Sequence, residues 1–155
     1  EALMQTLFSE DMLNASGIRT LSANEKRFKP GAYHNGNVWP WDSYWIAKGM
    51  ERHGYHGLAW QLYKRILAVV DEFRGYPEYA KGGNALRPEF NTRSVVIFNG
   101  NEGLENCIEQ PPQEIQGFTV APTKVIIRRM QEGQLPMQTT DFQKAAFEKQ
   151  ILQTA

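Results

Sequence analysis

The sequence predicts a mainly helical domain, and three observations carry that expectation. Apolar residues recur at helical spacing in several separate stretches. Only one short run, Val95 to Phe98, reads as a strand. The helical stretches are separated by loops rich in Gly, Pro and Asn, in a rhythm of helix, long loop, helix, short turn, helix, long loop. A length of 155 residues suits one domain, taken as residues 1–155.

Leu3, Met4, Leu7, Phe8 and Met12 place an amphipathic helix over residues 2 to 13. Residues 14 to 37 have no period and form a long loop, a feature that in small domains usually serves function or is disordered. A second helix starts at Pro40, because the first helical position needs no N–H. It runs to about Arg52 and stops in His53-Gly54. The clearest helix spans 57 to 73, with Leu58, Leu62, Ile66, Val69, Val70 and Phe73 in one stripe. From Arg74 to Gln110 the pattern breaks up. Pro111 and Pro112 then open a third long helical segment, continued by Ile115, Phe118, Val125, Ile126 and Met130 and kinked at Pro122. Residues 140 to 153 close the chain as a helix with Phe142, Ala146 and Ile151 inward.

Bulk properties remove several function classes. Lys plus Arg and Asp plus Glu both number 17, so no global field steers the protein to nucleic acid or an anionic membrane. No apolar run approaches the roughly 20 residues that span a bilayer. The single cysteine, Cys107, cannot form an intramolecular disulfide and has no local Cys or His partner. It reads as an inert thiol in a reducing compartment, which makes the expected location cytoplasmic. The chain begins at Glu1, without Met and inside a helical pattern, which suggests a fragment of something longer.

Two stretches carry chemistry. "AYHNGNVWPWDSYW", residues 32 to 45, holds three of the four tryptophans among Asn, Gly, His and Asp. Flat aromatic faces stack on sugar rings, while His, Asn and Asp hydrogen-bond hydroxyls. Trp41 and Trp45 are i, i+4 neighbours and face together. Tyr33 and Trp39, on the loop or helix cap, are the rings expected to meet ligand, and Trp45 the one expected to pack. Asp42, in the first helical turn, also complements the helix dipole. His34 has no partner at metal-ligand spacing, so no metal is expected. In "GYPEYAKGGN", residues 75 to 84, Glu78 stands on a Pro–Glu–aromatic turn. A carboxylate fixed there by the backbone suits a general base, and an exposed loop glutamate is the plainer alternative.

These residues resemble a known group. "GIRTLSANEKRFKPGAYHNGNVWPWD", two helices and then "PEY" are similar to the C-terminal half of the six-hairpin, (α/α)6-barrel glycoside hydrolases. The likeness is most nearly to the amylo-α-1,6-glucosidase domain of glycogen-debranching enzymes and related α-glucosidases. "IEQPPQEIQGFTVAP" looks like that group's Pro-x-Gln-Ala-Trp helix start, and the resemblance spans roughly residues 16 to 130. It implies an all-α chain forming the C-terminal portion of an (α/α)6 toroid, an incomplete barrel. It also implies inverting hydrolysis of α-glucosides, oligosaccharide or polysaccharide, with no cofactor. By position it makes Glu78 the general base, and it puts Tyr33, His34, Trp39 and Asp42 in the glucose subsite and Gln113 beside the same pocket. The chain departs from the group in three places. Trp41 replaces a commoner His, Glu114-Ile115 stands where Ala-Trp is typical, and residues 84 to 110 are long.

Inversion needs a second carboxyl, about 6.5–9.5 Å from the first. The resemblance puts that acid in the half of the barrel that precedes residue 1, so the chain alone is expected to be inactive. The stripe Leu58, Leu62, Ile66 and Val70, with the apolar face of the first helix, is expected to need covering by self-association or by a complementary N-terminal half-barrel. The alternative function is a non-catalytic carbohydrate-binding or interaction fragment of the same fold.

Overall fold

The computed structural model describes residues 1–97 and 107–136. Over these residues the chain is predominantly helical. Its order is α1 (Ala2–Leu7), β1 (Leu13–Asn14), β2 (Gly17–Ile18), α2 (Pro40–Arg52), α3 (His56–Phe73), β3 (Val95–Ile97), β4 (Cys107–Glu109) and α4 (Gly117–Gln131). Both sheets are open two-stranded antiparallel ladders, β1 with β2 and β3 with β4. This suits part of a helical toroid.

The helices α2 and α3 form a hairpin and make the most extensive packing among the described residues. Pro40 occupies the first position of α2 and Asp42 its first turn, and the chain reverses through His53, Gly54 and Tyr55. Gly54 takes φ +81°, a conformation few L-residues adopt readily. Ala47 and Met50 of α2 meet Ala59, Leu62, Tyr63 and Ile66 of α3, and Ile126 and Met130 of α4 close the cluster. Full burial of a residue such as Leu62 or Ile66 is worth about 1.5–3 kcal/mol. Truncating Leu62 to Ala would cost about 2–5 kcal/mol through the cavity left behind.

Four expectations are corrected. The first helix ends at Leu7, well short of residue 13. There Ser9 Oγ lies 2.7 Å from the Thr6 carbonyl oxygen and 2.6 Å from Asp11 Oδ1, local bonds that compete with the helix ladder. The segment that follows is ordered as the β1–β2 hairpin, whose turn is held by Asn14 Oδ1 accepting the Ser16 and Gly17 N–H groups.

The third long helix begins at Gly117, not at Pro111. Residues 113 to 116 run extended beside residues 76 to 78, with Tyr76 N donating to Glu114 O and Gln116 N to Tyr76 O. Ile115 consequently stands 74% exposed rather than in the core stripe. Pro122 does sit inside α4.

The strand at Val95 is present, but its partner Cys107–Glu109 gave no strand signal in the sequence. Finally, Leu62, Ile66 and Val70 are not left uncovered, since they are buried within the chain. Met4, Leu7 and Phe8, from α1 and the residue after it, pack on the same core cluster, with Leu58 partly buried at its edge. The case for a partner made from that stripe therefore falls. The helix expected at 140 to 153 lies outside the described residues.

Candidate active site

The two chemical stretches meet because their backbones pair. Val38 N donates to Ala80 O and Ala80 N to Val38 O, both at 2.9 Å. Val38 also bridges Arg19 on its other side. Residues 33 to 39 and 78 to 80 are thus fastened side by side at one end of the α2–α3 hairpin. Gly82 and Gly36 approach so closely that a Cβ on Gly82 would collide with the Gly36 carbonyl.

Side chains follow from this pairing. The Tyr33 hydroxyl donates to Glu78 Oε1 at 2.5 Å, while Glu78 itself is buried. Tyr33 meets Trp39 and Tyr79 edge to face, with ring centroids at 4.9 and 5.4 Å. His34 lies parallel to Trp39, 6.2 Å away. Trp39 Nε1 donates to the Tyr33 carbonyl at 3.3 Å, which fixes the indole over the loop that carries Tyr33. Glu78 is further held by its own N–H, which donates to Gln113 O at 3.0 Å. Its neighbour Pro77 is held through its carbonyl, which accepts from Thr119 Oγ1 at 2.6 Å.

The structure therefore brings Tyr33, His34, Trp39 and Glu78 together. Asp42 and Gln113 stand at the margin. Asp42 is exposed at the start of α2 and interacts electrostatically with His34. Gln113 is exposed too, with its side-chain oxygen accepting from Gln116 Nε2. One placement is reversed: Trp45, expected to pack, is 51% exposed, with its ring against those of Trp41 and Tyr44.

Several residues that sequence reasoning left without a role hold the site together. Arg19 is buried, with Nε donating to Gly82 O at 2.6 Å. Its terminal nitrogens reach the carbonyls of Glu10 and Leu13 and the Asn84 side chain. Asn91 donates to the carbonyls of Gly31 and Gln110, and the Tyr79 hydroxyl donates to Gln110 at 2.8 Å. The only sequence signal for Arg19 is its place inside the quoted Gly-Ile-Arg-Thr segment, and that signal says nothing about burial.

The electrostatics suit a carboxylate flanked by neutral phenols. Tyr33 is pushed up to about 12, first by its hydrogen bond to Glu78, then by burial and by the Glu78 charge. Burial and then the Glu78 charge push Tyr79 to about 12 as well. Both phenols keep their protons at ordinary pH, and Tyr33 can go on donating to Glu78. Asp42 is pushed up because nearby protein strips solvent from its carboxyl, an effect that His34 opposes. Glu78 Oε2 has no hydrogen-bond donor among the described residues.

A buried carboxylate that accepts from a phenol, with an indole and an imidazole beside that phenol, thus stands at one end of the helical hairpin. The mannosylglycerate hydrolase MGH1-like glycoside hydrolase domain matches residues 1–82, just over half of the chain and a span that contains every member of this cluster. The chain belongs to that family. No curated protein matches it. No helix among the described residues is long and apolar enough to cross a membrane.

Proposed function

We propose that this domain supplies the general base and the aromatic sugar subsite of an inverting glycoside hydrolase that acts on α-linked glucosides. The observation that carries the reading is the Tyr33–Glu78 hydrogen bond beside Trp39. Tyr33 fixes Oε1, so Oε2 is the oxygen that takes a proton from water as that water attacks the anomeric carbon. Trp39 and Tyr33 form the floor on which the sugar ring lies, and His34 and Asp42 bind its hydroxyls. Gln113 borders the same pocket. The leaving oxygen needs a proton from a second carboxyl on the opposite face of the sugar. That acid belongs to a part of the enzyme outside residues 1–155, and this chain alone has negligible turnover. The chemistry requires no cofactor. The glucoside preference rests on the likeness of the Tyr33–Pro40 loop to the debranching group, and a mannosyl substrate is the competing choice suggested by the matched family's name.

The test is an assay of the longest natural protein that carries this domain. Its substrates are α-linked glucosides, trehalose and mannosylglycerate, with the first-formed anomer read by NMR. Turnover of an α-glucoside with β-glucose appearing first is the expected result. Retention of configuration, or turnover of mannosylglycerate alone, would overturn the mechanism or the sugar assignment respectively. Binding without turnover on any substrate would favour a carbohydrate-binding module.

A further inference from the structure

Beside the Glu78 cluster lies a second aromatic surface that the proposed chemistry does not use. Trp41 meets Trp45 edge to face at 5.5 Å and Phe118 at 5.4 Å. Trp45 and Phe118 are 51% and 48% exposed. We infer that this surface is a second sugar subsite, so that the ligand is at least a disaccharide whose outer ring stacks on Trp45 and Phe118. The inference rests on the function proposed above and extends it to the substrate class.

Three observations favour a sugar. The surface borders the site, because Thr119, next to Phe118, donates to the carbonyl of Pro77, next to Glu78, and Phe118 in turn meets Trp41. The apolar rings have a polar group beside them. Asp42 is exposed on the same side of α2, three residues before Trp45. A helix laid across this face would have to bring its own cation to the Asp42 carboxylate. A sugar instead offers hydroxyls to the carboxylate and C–H faces to the rings. The ring geometry also fits, since an exposed indole and phenyl present stacking area at low entropic cost.

The test is calorimetric titration of the full chain with glucose, maltose and isomaltose, repeated on Trp45→Ala and Phe118→Ala. Both residues are about half exposed, so neither change should unfold the domain. One of the disaccharides should bind at least tenfold more tightly than glucose. Each substitution should remove that advantage and leave glucose affinity within about twofold of the original. Glucose binding with no disaccharide advantage would overturn the second subsite and leave the Glu78 site standing. Failure of all three sugars to bind would overturn both. Sedimentation in which Trp45→Ala converts a dimer to a monomer, with sugar binding unchanged, would show the face to be a protein interface and overturn the inference.

Discussion

Tyr33 and Glu78 lie 45 residues apart in the chain and share a 2.5 Å hydrogen bond from phenol to carboxylate. The contact joins the aromatic loop before α2 to the turn after α3. It orients one oxygen of a buried carboxylate and, in return, keeps the phenol protonated well past its usual range.

That coupling is measurable. In an alkaline absorbance titration Tyr33 should ionise near pH 12, and Glu78→Gln should bring its step down by weakening the hydrogen bond and removing the charge, with burial retaining part of the shift. The folded-state value lies above the unfolded value near 10. The stabilisation is therefore complete below about pH 10 and is lost as pH rises towards 12. A Tyr33 step unmoved by Glu78→Gln would contradict the contact.

The ion pair between α2 and α4 gives the opposite pH dependence. Arg129 reaches both Glu51 oxygens, at 2.7 and 3.2 Å, and Lys48 lies 2.8 Å away. Burial works to raise the Glu51 pKa, but hydrogen bonds from Arg129, Lys48 and Tyr63 outweigh it and hold the carboxyl near 2. Its stabilisation is present above the unfolded value and is lost as pH falls through about 2. Glu51→Gln should cost about 1–3 kcal/mol at pH 7 in urea unfolding, with much of the difference gone at pH 2. A difference independent of pH would count against the pair.

Arg19 should be among the least replaceable residues. Arg19→Met leaves the Gly82, Glu10 and Leu13 carbonyls without their buried donor and should cost about 3 kcal/mol or more. Arg19→Lys keeps the charge but not the fork of donors, so it should recover little. Near-complete recovery by lysine would show that charge alone matters there.

Two glycines should respond with opposite signs. Gly82→Ala drives a Cβ into the Gly36 carbonyl and should cost about 1–3 kcal/mol while separating the loops that carry Tyr33 and Glu78. Gly57→Ala, near the start of α3 with open space around it, should stabilise by about 0.4–1 kcal/mol. Melting temperatures that move the same way in both would contradict the packing described.

The elements with local signals were the legible ones. Pro40 and His53-Gly54 mark the ends of α2 in the sequence, and the stripe from Leu62 to Val70 marks α3. Residues 111 to 116 misled because their extended form is set by residues 76 to 78, a pairing that no local window contains. The convergence of Tyr33 and Glu78 is explained by the hairpin topology, since the loop before one helix and the loop after the next share an end. The bonds that tighten it, Val38 with Ala80 and Arg19 with Gly82, are non-local and had no signature. The i, i+4 spacing of Trp41 and Trp45 showed that they face together, but not that Trp45 stands half exposed.

The central claim is that Glu78 takes a proton from water at a sugar site floored by Tyr33 and Trp39. Its most direct test compares Glu78→Gln with the unaltered enzyme, in the longest natural protein, for kcat and for sugar affinity measured separately. The amide keeps the shape but cannot accept the proton. A fall in kcat of about 10²–10⁴-fold, with affinity nearly unchanged, is the predicted result. Turnover that survives the substitution, or a loss of binding equal to the loss of turnover, would contradict the assignment.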